Sequence, residues 1–251
     1  MRNILKALLV LAAGMPLAAF AAAGITNSKH DLSSTSGNTL AVSSQSQLCI
    51  FCHTPHHALK QPLIWNHDAS AATSQFTPTT LASGTPLGSQ PLMAPTVACL
   101  TCHDGSTAIG AVNNQGGGTA GTISVTGNDT SSGLLVGYAK IASTGAGGMD
   151  NNHPVSIPYA GQTYNGVTSS AKANTTLGNY FVPVSSGCTS ASGFCTGAGV
   201  GQAAVNLYGT AVGTLGIECG SCHEVHNKYG YAYFLRDDIA SSAICKDCHN
   251  K

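Results

Sequence analysis

The chain has 251 residues, no net charge at pH 7 and only 8% charged residues, against roughly 25% in ordinary globular proteins. The length suits one domain or two small ones. Nothing in so neutral a balance suggests a nucleic-acid partner, which would call for a basic face.

The N-terminus reads as a secretory signal over residues 1–23. Arg2 and Lys6 form a basic start, Ala7 to Phe20 an apolar run broken by Gly14 and Pro16, and Ala21-Ala22-Ala23 a small-residue cleavage site before Gly24. The run is short and interrupted for a membrane anchor, and no later segment reaches transmembrane length. Residues 24–251 are then the mature chain, with eight Lys and Arg against ten Asp and Glu. Export permits disulfides.

Along the mature chain, Cys-x-x-Cys-His occurs four times: Cys49-Ile50-Phe51-Cys52-His53, Cys99-Leu100-Thr101-Cys102-His103, Cys219-Gly220-Ser221-Cys222-His223 and Cys245-Lys246-Asp247-Cys248-His249. This is the attachment signature of c-type haem. Two thiols three positions apart lie on one side of a helical turn, where both can form thioethers with one porphyrin, and the next histidine ligates the iron. The expected cofactor is therefore four covalent haem c groups, on Cys49, Cys52, Cys99, Cys102, Cys219, Cys222, Cys245 and Cys248. His53, His103, His223 and His249 are the proximal ligands. A zinc protein would not need a histidine directly after all four cysteine pairs.

The motifs form two pairs around an insert of about residues 104–217, rich in Gly, Thr, Ser and Asn. A structureless loop that long is improbable in a compact domain. Short strands are expected at Thr122–Thr126, Gly133–Ile141 and Asn179–Val184. Helices are expected to be short, at the motif turns and over Asp238–Cys248. The remaining cysteines, Cys188 and Cys195, are expected to form a disulfide closing a small loop of the insert. The chain has few large apolar side chains, so the expected fold is mostly irregular, a single haem-centred domain. Trp65, Tyr229, Tyr231, Tyr233 and Phe234 are expected to pack on haem. Asn128-Asp129-Thr130 and Asn174-Thr175-Thr176 match glycosylation sequons.

Six histidines remain: His30, His56, His57, His67, His153 and His226. Only Met93 and Met149 are methionines outside the signal, so all-histidine ligation is the economical reading, and it favours low-potential haems. A distal histidine rarely comes from the turn that carries its own haem. His56 and His226 each follow a proximal histidine by three residues and can point towards a neighbouring haem. His30, His67 and His153 are isolated in charge-poor sequence, and Pro154 fixes the backbone after His153. His57 is the weakest candidate, leaving five for four sites.

In one order the chain carries Lys-His-Asp-Leu, Cys-Ile-Phe-Cys-His-Thr-Pro-His, Leu-Ile-Trp-Asn-His, Cys-Leu-Thr-Cys-His-Asp-Gly, His-Pro-Val-Ser and Cys-x-x-Cys-His-x-x-His. This set resembles the secreted tetrahaem cytochromes of metal-reducing bacteria and some archaea, above all the outer-surface type that polymerises into filaments, the cytochrome nanowires. The resemblance spans about residues 29–249 and draws almost nothing from the insert. It implies extracellular electron transfer in a homopolymer that passes electrons from redox partner cytochromes to external acceptors. It also implies a distal histidine given to a neighbouring subunit, with His56 the best match and His30 the alternative. Two other functions fit the same residues: a monomeric periplasmic electron shuttle, and a multihaem reductase with one open iron. The surplus of histidines argues against the reductase, and no catalytic residue is expected.

Overall fold

The structure, a computed structural model, describes residues 24–39, 42–54, 56, 64–68, 92–116, 118–141, 153–169, 194–196, 205–209 and 213–249. The signal, Cys188, His57 and the expected strand at Asn179–Val184 lie outside them.

Regular structure is sparse among the described residues and takes three forms. The first is a set of two-residue antiparallel ladders. β1 (Val42–Ser43) pairs with β4 (Val125–Thr126), and β2 (Ala111–Val112) with β3 (Gly121–Thr122). β5 (Thr130–Ser131) pairs with β6 (Leu134–Leu135), and β8 (Thr163–Tyr164) with β9 (Val167–Thr168). The second is a four-stranded antiparallel sheet. It runs in the order β10 (Phe194–Thr196), β11 (Asn206–Tyr208), β12 (Gly216–Ile217), β7 (Ile157–Pro158). The third is helix: a 3-10 turn at Cys49–Phe51, α1 at Ala94–His103, α2 at Cys219–Cys222 and α3 at Ala243–Lys246.

Among the described residues, every helical segment in the element order except the small 3-10 turns at Gly137–Ala139 and Ala232–Phe234 belongs to, or runs into, one Cys-x-x-Cys-His motif. α1 begins with Pro95 in its first turn, where a missing amide costs nothing. It then carries Cys99, Cys102 and His103 at positions i, i+3 and i+4, which share one helical face. At the chain's end, a 3-10 turn (Ala240–Ser242) leads into α3, so the helix expected over Asp238–Cys248 is present as two short pieces. The strand expected at Thr122–Thr126 is also divided. Ile123 leaves the ladder to donate its amide to the Gly110 carbonyl at 2.8 Å. A Cβ on Gly110 would lie 1.7 Å from the Ile123 carbonyl oxygen, so only glycine admits this approach. The strand expected over Gly133–Ile141 is β6 followed by the 3-10 turn.

Two apolar clusters result. One gathers Leu32, Ile50, Phe51, Ile109, Val112, Ile123, Val125 and Leu135, with Cys52 and Cys102 packed against it. The other gathers Ile157, Tyr159, Val205, Leu207, Leu215, Ile217 and Ile244 among its members, with Cys248 at its edge. The insert is thus divided. Its first part lies against the N-terminal pair of motifs and its second part against the C-terminal pair. Among the described residues no helix is long and apolar enough to cross a membrane.

Candidate haem-attachment centres

At each motif the histidine amide returns to the carbonyl of the first cysteine: His53 to Cys49 at 2.8 Å, His223 to Cys219 at 3.0 Å, His249 to Cys245 at 2.9 Å. At the second motif the helix does the same work. None of the eight motif thiols is in a disulfide. Neighbouring motifs adjoin. The Cys99 and Cys219 thiols hydrogen-bond, raising the first thiol's pKa and lowering the second's. Burial, then the nearby Cys52, pushes the Cys102 thiol up to about 12. Burial, then the nearby Cys222, does the same for Cys248. The first Cys-x-x-Cys-His turn thus adjoins the second, the second the third, and the third the fourth.

The histidine rings come together in pairs. His226 and His53 have ring centres 6.3 Å apart and planes at 18°. His30 faces His103 at 6.0 Å and 64°. His153 faces His249 at 6.5 Å and 67°. Each pair joins a proximal histidine to one of the distal candidates. A metal–imidazole bond of about 2.0–2.1 Å on each side, plus roughly 1 Å from nitrogen to ring centre, places two opposed rings about 6 Å apart.

The ring nitrogens are sorted for the same task. His103 Nδ1 donates to the Ala139 carbonyl at 2.7 Å, His223 Nδ1 to Tyr233 at 2.9 Å and His153 Nδ1 to Pro154 at 2.9 Å. His30 Nδ1 donates to Val225 at 3.3 Å, and His226 Nδ1 to the Glu224 carboxylate at 3.0 Å. A proton fixed on Nδ1 leaves the Nε2 lone pair for a metal, the usual outer-shell arrangement of a ligating histidine. Burial, then repulsion from His103, lowers the pKa of His30 to about 4. Burial lowers His103 as well. Both are neutral at pH 7, the form that ligates.

Two distal candidates are placed differently. His67 is fully buried, and its Nε2 is committed to the Phe51 carbonyl at 2.6 Å. The structure brings it to Trp65 and not to a proximal histidine. His56 is exposed, with its carbonyl tied down by Thr54 and by Asn114. His223 is exposed too, and among the described residues no second histidine ring pairs with it in this way. Val225, Tyr229, Tyr231, Tyr233 and Ile239, on the segment after His223, expose apolar side chains. A flat apolar group beside the histidines would cover such surface.

Several residues that hold the site have no motif of their own. Asn66 and Asn114 are buried partners. Asn66 Nδ2 donates to Ile50 O at 2.5 Å and Asn114 O at 2.8 Å, and Asn114 Nδ2 reaches Thr54 Oγ1 at 3.0 Å. Glu218 is completely buried. Its carboxylate accepts from Thr96 on α1, from Ser156 at 3.1 Å and from Tyr164 at 2.8 Å. It joins the second motif's helix, the third motif and the insert at one point.

No protein-family model matches the chain, and no curated protein matches it. Among the described residues no group of three or more His, Cys, Asp or Glu side chains converges to hold a metal ion on its own. At three of the four motifs the recurring unit is two imidazoles about 6 Å apart beside a Cys-x-x-Cys turn.

Proposed function

We propose that the chain is an exported tetrahaem c-type cytochrome that carries electrons, and that it does so as the subunit of a polymeric filament at the outer cell surface. The observation that carries this reading is the pairing of His53 with His226, His103 with His30 and His249 with His153, at the separation two ligands of one iron require. When bound, haem would supply a one-electron ferric/ferrous couple at each motif.

The chain's own residues do the rest. The cysteine pairs fix each porphyrin to its turn through two thioethers. Backbone carbonyls on Nδ1 set the tautomer of His30, His103, His153 and His223, and the Glu224 carboxylate does so for His226. A ligand on each side of an iron leaves no position for a substrate, which favours an electron carrier over an enzyme. The contact of successive attachment turns keeps neighbouring redox groups close, as electron hopping demands.

His223 supports the polymeric form. Its ring is exposed, with Nδ1 already engaged and no partner ring among the described residues, while His56 is exposed with no proximal ring opposite it. A His56 of one copy reaching His223 of the next would complete both. The same observation also admits a second reading: an open iron at the third motif would suit a multihaem reductase. A monomeric periplasmic shuttle would need another ligand from the same chain at that motif.

Three measurements separate these readings. A pyridine haemochrome assay with intact-mass analysis is expected to give four covalent haems, and none would overturn the cytochrome reading. Electron microscopy of secreted material is expected to show filaments, and isolated particles at high concentration would leave the shuttle. Carbon monoxide is expected not to shift the ferrous spectrum of the assembled filament; a shift at one haem would favour the reductase.

A further inference from the structure

The segment that follows the third motif reaches past its own histidine. His223 donates from Nδ1 to the Tyr233 carbonyl, and Val225 accepts from His30. The Phe234 ring lies flat on His30, with centres 4.3 Å apart and planes at 11°. His30 is the ring that faces His103 of the second motif.

We propose that Phe234 is a positioning residue for His30: carried on the 3-10 turn that follows the third motif, its ring fixes the plane in which His30 approaches the second haem.

The backbone makes the case beyond the stacking. Tyr233 and Phe234 both have positive φ, at 58°. Two successive bulky residues in the left-handed region are costly, and glycine would relieve the cost at either position. The turn is nonetheless held in this shape. Glu224 donates its amide to the Phe234 carbonyl at 2.7 Å, Arg236 donates to Cys222 at 2.9 Å, and His223 bridges to Leu235. Strain kept in place by its surroundings, with a side chain aimed at a ligand, is the pattern of a functional constraint. The backbone beneath His30 is fixed separately. The Asp31 carboxylate accepts from Asn27 N at 2.7 Å and from Ser33 Oγ at 2.6 Å. The single bond from His30 Nδ1 to the Val225 carbonyl, at 3.3 Å, still lets the imidazole tilt about it, and a parallel aromatic ring on one face fixes that tilt.

The plane matters because an imidazole donates π density into the iron orbital perpendicular to its ring. The angle between two axial imidazoles therefore governs the anisotropy of a low-spin ferric haem. The inference rests on the cytochrome reading, and its test can fail separately.

The experiment is electron paramagnetic resonance of the ferric holoprotein, with covalent haem counted first. In F234L, with four haems retained, one low-spin signal is expected to shift or convert to high spin while the others hold. It should be the same signal that is lost in H30A. F234Y, which keeps the ring, should give the wild-type spectrum. If F234L loses haem, F234M is read in its place, since it keeps apolar length without a plane. An unchanged spectrum with four haems, or an equal change in every signal, would overturn the proposal. Absence of covalent haem from the wild-type protein would instead overturn the reading beneath it.

Discussion

The two pairs of motifs are held by different means. Around the N-terminal pair, the protein coat is a set of two-residue ladders and a buried amide network, with Asn66 and Asn114 bonding the first motif's backbone to the insert. Around the C-terminal pair, the coat is a four-stranded sheet, with Leu207 in it and Leu215 just before its third strand both fully buried. Tyr159 ties this sheet to the fourth motif through its hydroxyl on the Cys248 carbonyl at 3.3 Å. The attachment turn itself barely changes between the two regions. It is a local object, closed by one amide-to-carbonyl bond, and it tolerates quite different surroundings.

The histidines cross this division in one direction. The C-terminal region brings His226 beside His53 of the first motif and packs Phe234 and the Val225 carbonyl on His30, the ring that faces His103 of the second. The largest expected effect follows. On the cytochrome reading, H226A should leave four covalent haems and remove the distal ligand from one. The affected haem should be that of Cys49 and Cys52, although the substitution lies three residues past the third motif. Conversion of one haem to high spin, shown to be the first by combining H226A with loss of Cys49 and Cys52, would establish the crossing. A fully low-spin H226A would break it. The ring planes give a companion expectation. The pair at 18° should produce a rhombic low-spin signal, and the pairs at 64° and 67° the strongly anisotropic type. A single class of signal would contradict these geometries.

How much of this could be read in the sequence depended on range. The four turns were legible because spacing i, i+3, i+4 is local chemistry. That Cys188 and Cys195 were left over was legible too, though Cys188 lies outside the described residues. Pairing was not legible: His53 meets a ring from the far end of the chain. His67 has the same standing in the sequence as His30 and His153, yet the structure places its Nε2 on the Phe51 carbonyl. Isolation in charge-poor sequence was the reason to expect ligation, and it serves equally well for a histidine that bonds the backbone. The stacking of Phe234 on His30 was not legible either, because the two residues lie far apart in the chain. Glu218 carried no signal beyond its place before Cys219 in a chain with few carboxylates.

The two apolar clusters share no residue, which makes the division itself testable. Leu207→Ala should cost about 2–5 kcal/mol and Phe51→Ala about 3–5 kcal/mol, the range for emptying a packed site. Both are measured by thermal unfolding of the haem-loaded protein. With no shared partners, the double variant should equal the sum of the two within about 0.3–0.5 kcal/mol. L207A should loosen the C-terminal pair first and F51A the N-terminal pair. A strongly non-additive double variant would mean that the two clusters behave as one core.

Glu218 sits where the two regions meet, and its effect is expected to be smaller but to depend on pH. Burial raises its pKa above the ordinary 4.5, and the hydroxyls of Thr96, Tyr164 and Ser156 oppose that rise. A carboxyl whose folded pKa is raised gives its full stabilisation below the unfolded pKa of 4.5, where it is protonated in both states. That stabilisation is lost as pH climbs through the folded value, because the unfolded chain ionises first. Wild-type stability should therefore fall across a window opening near 4.5. Glu218→Gln keeps the shape and an accepting oxygen but does not titrate. It should flatten that fall and change stability by no more than about 1 kcal/mol for each hydrogen bond it weakens. The comparison is made by thermal unfolding from pH 4 upward, at fixed salt, on holoprotein with four haems. If the two proteins keep the same slope, the carboxylate at this junction is not what burial has made of it, and the pH dependence lies with other groups.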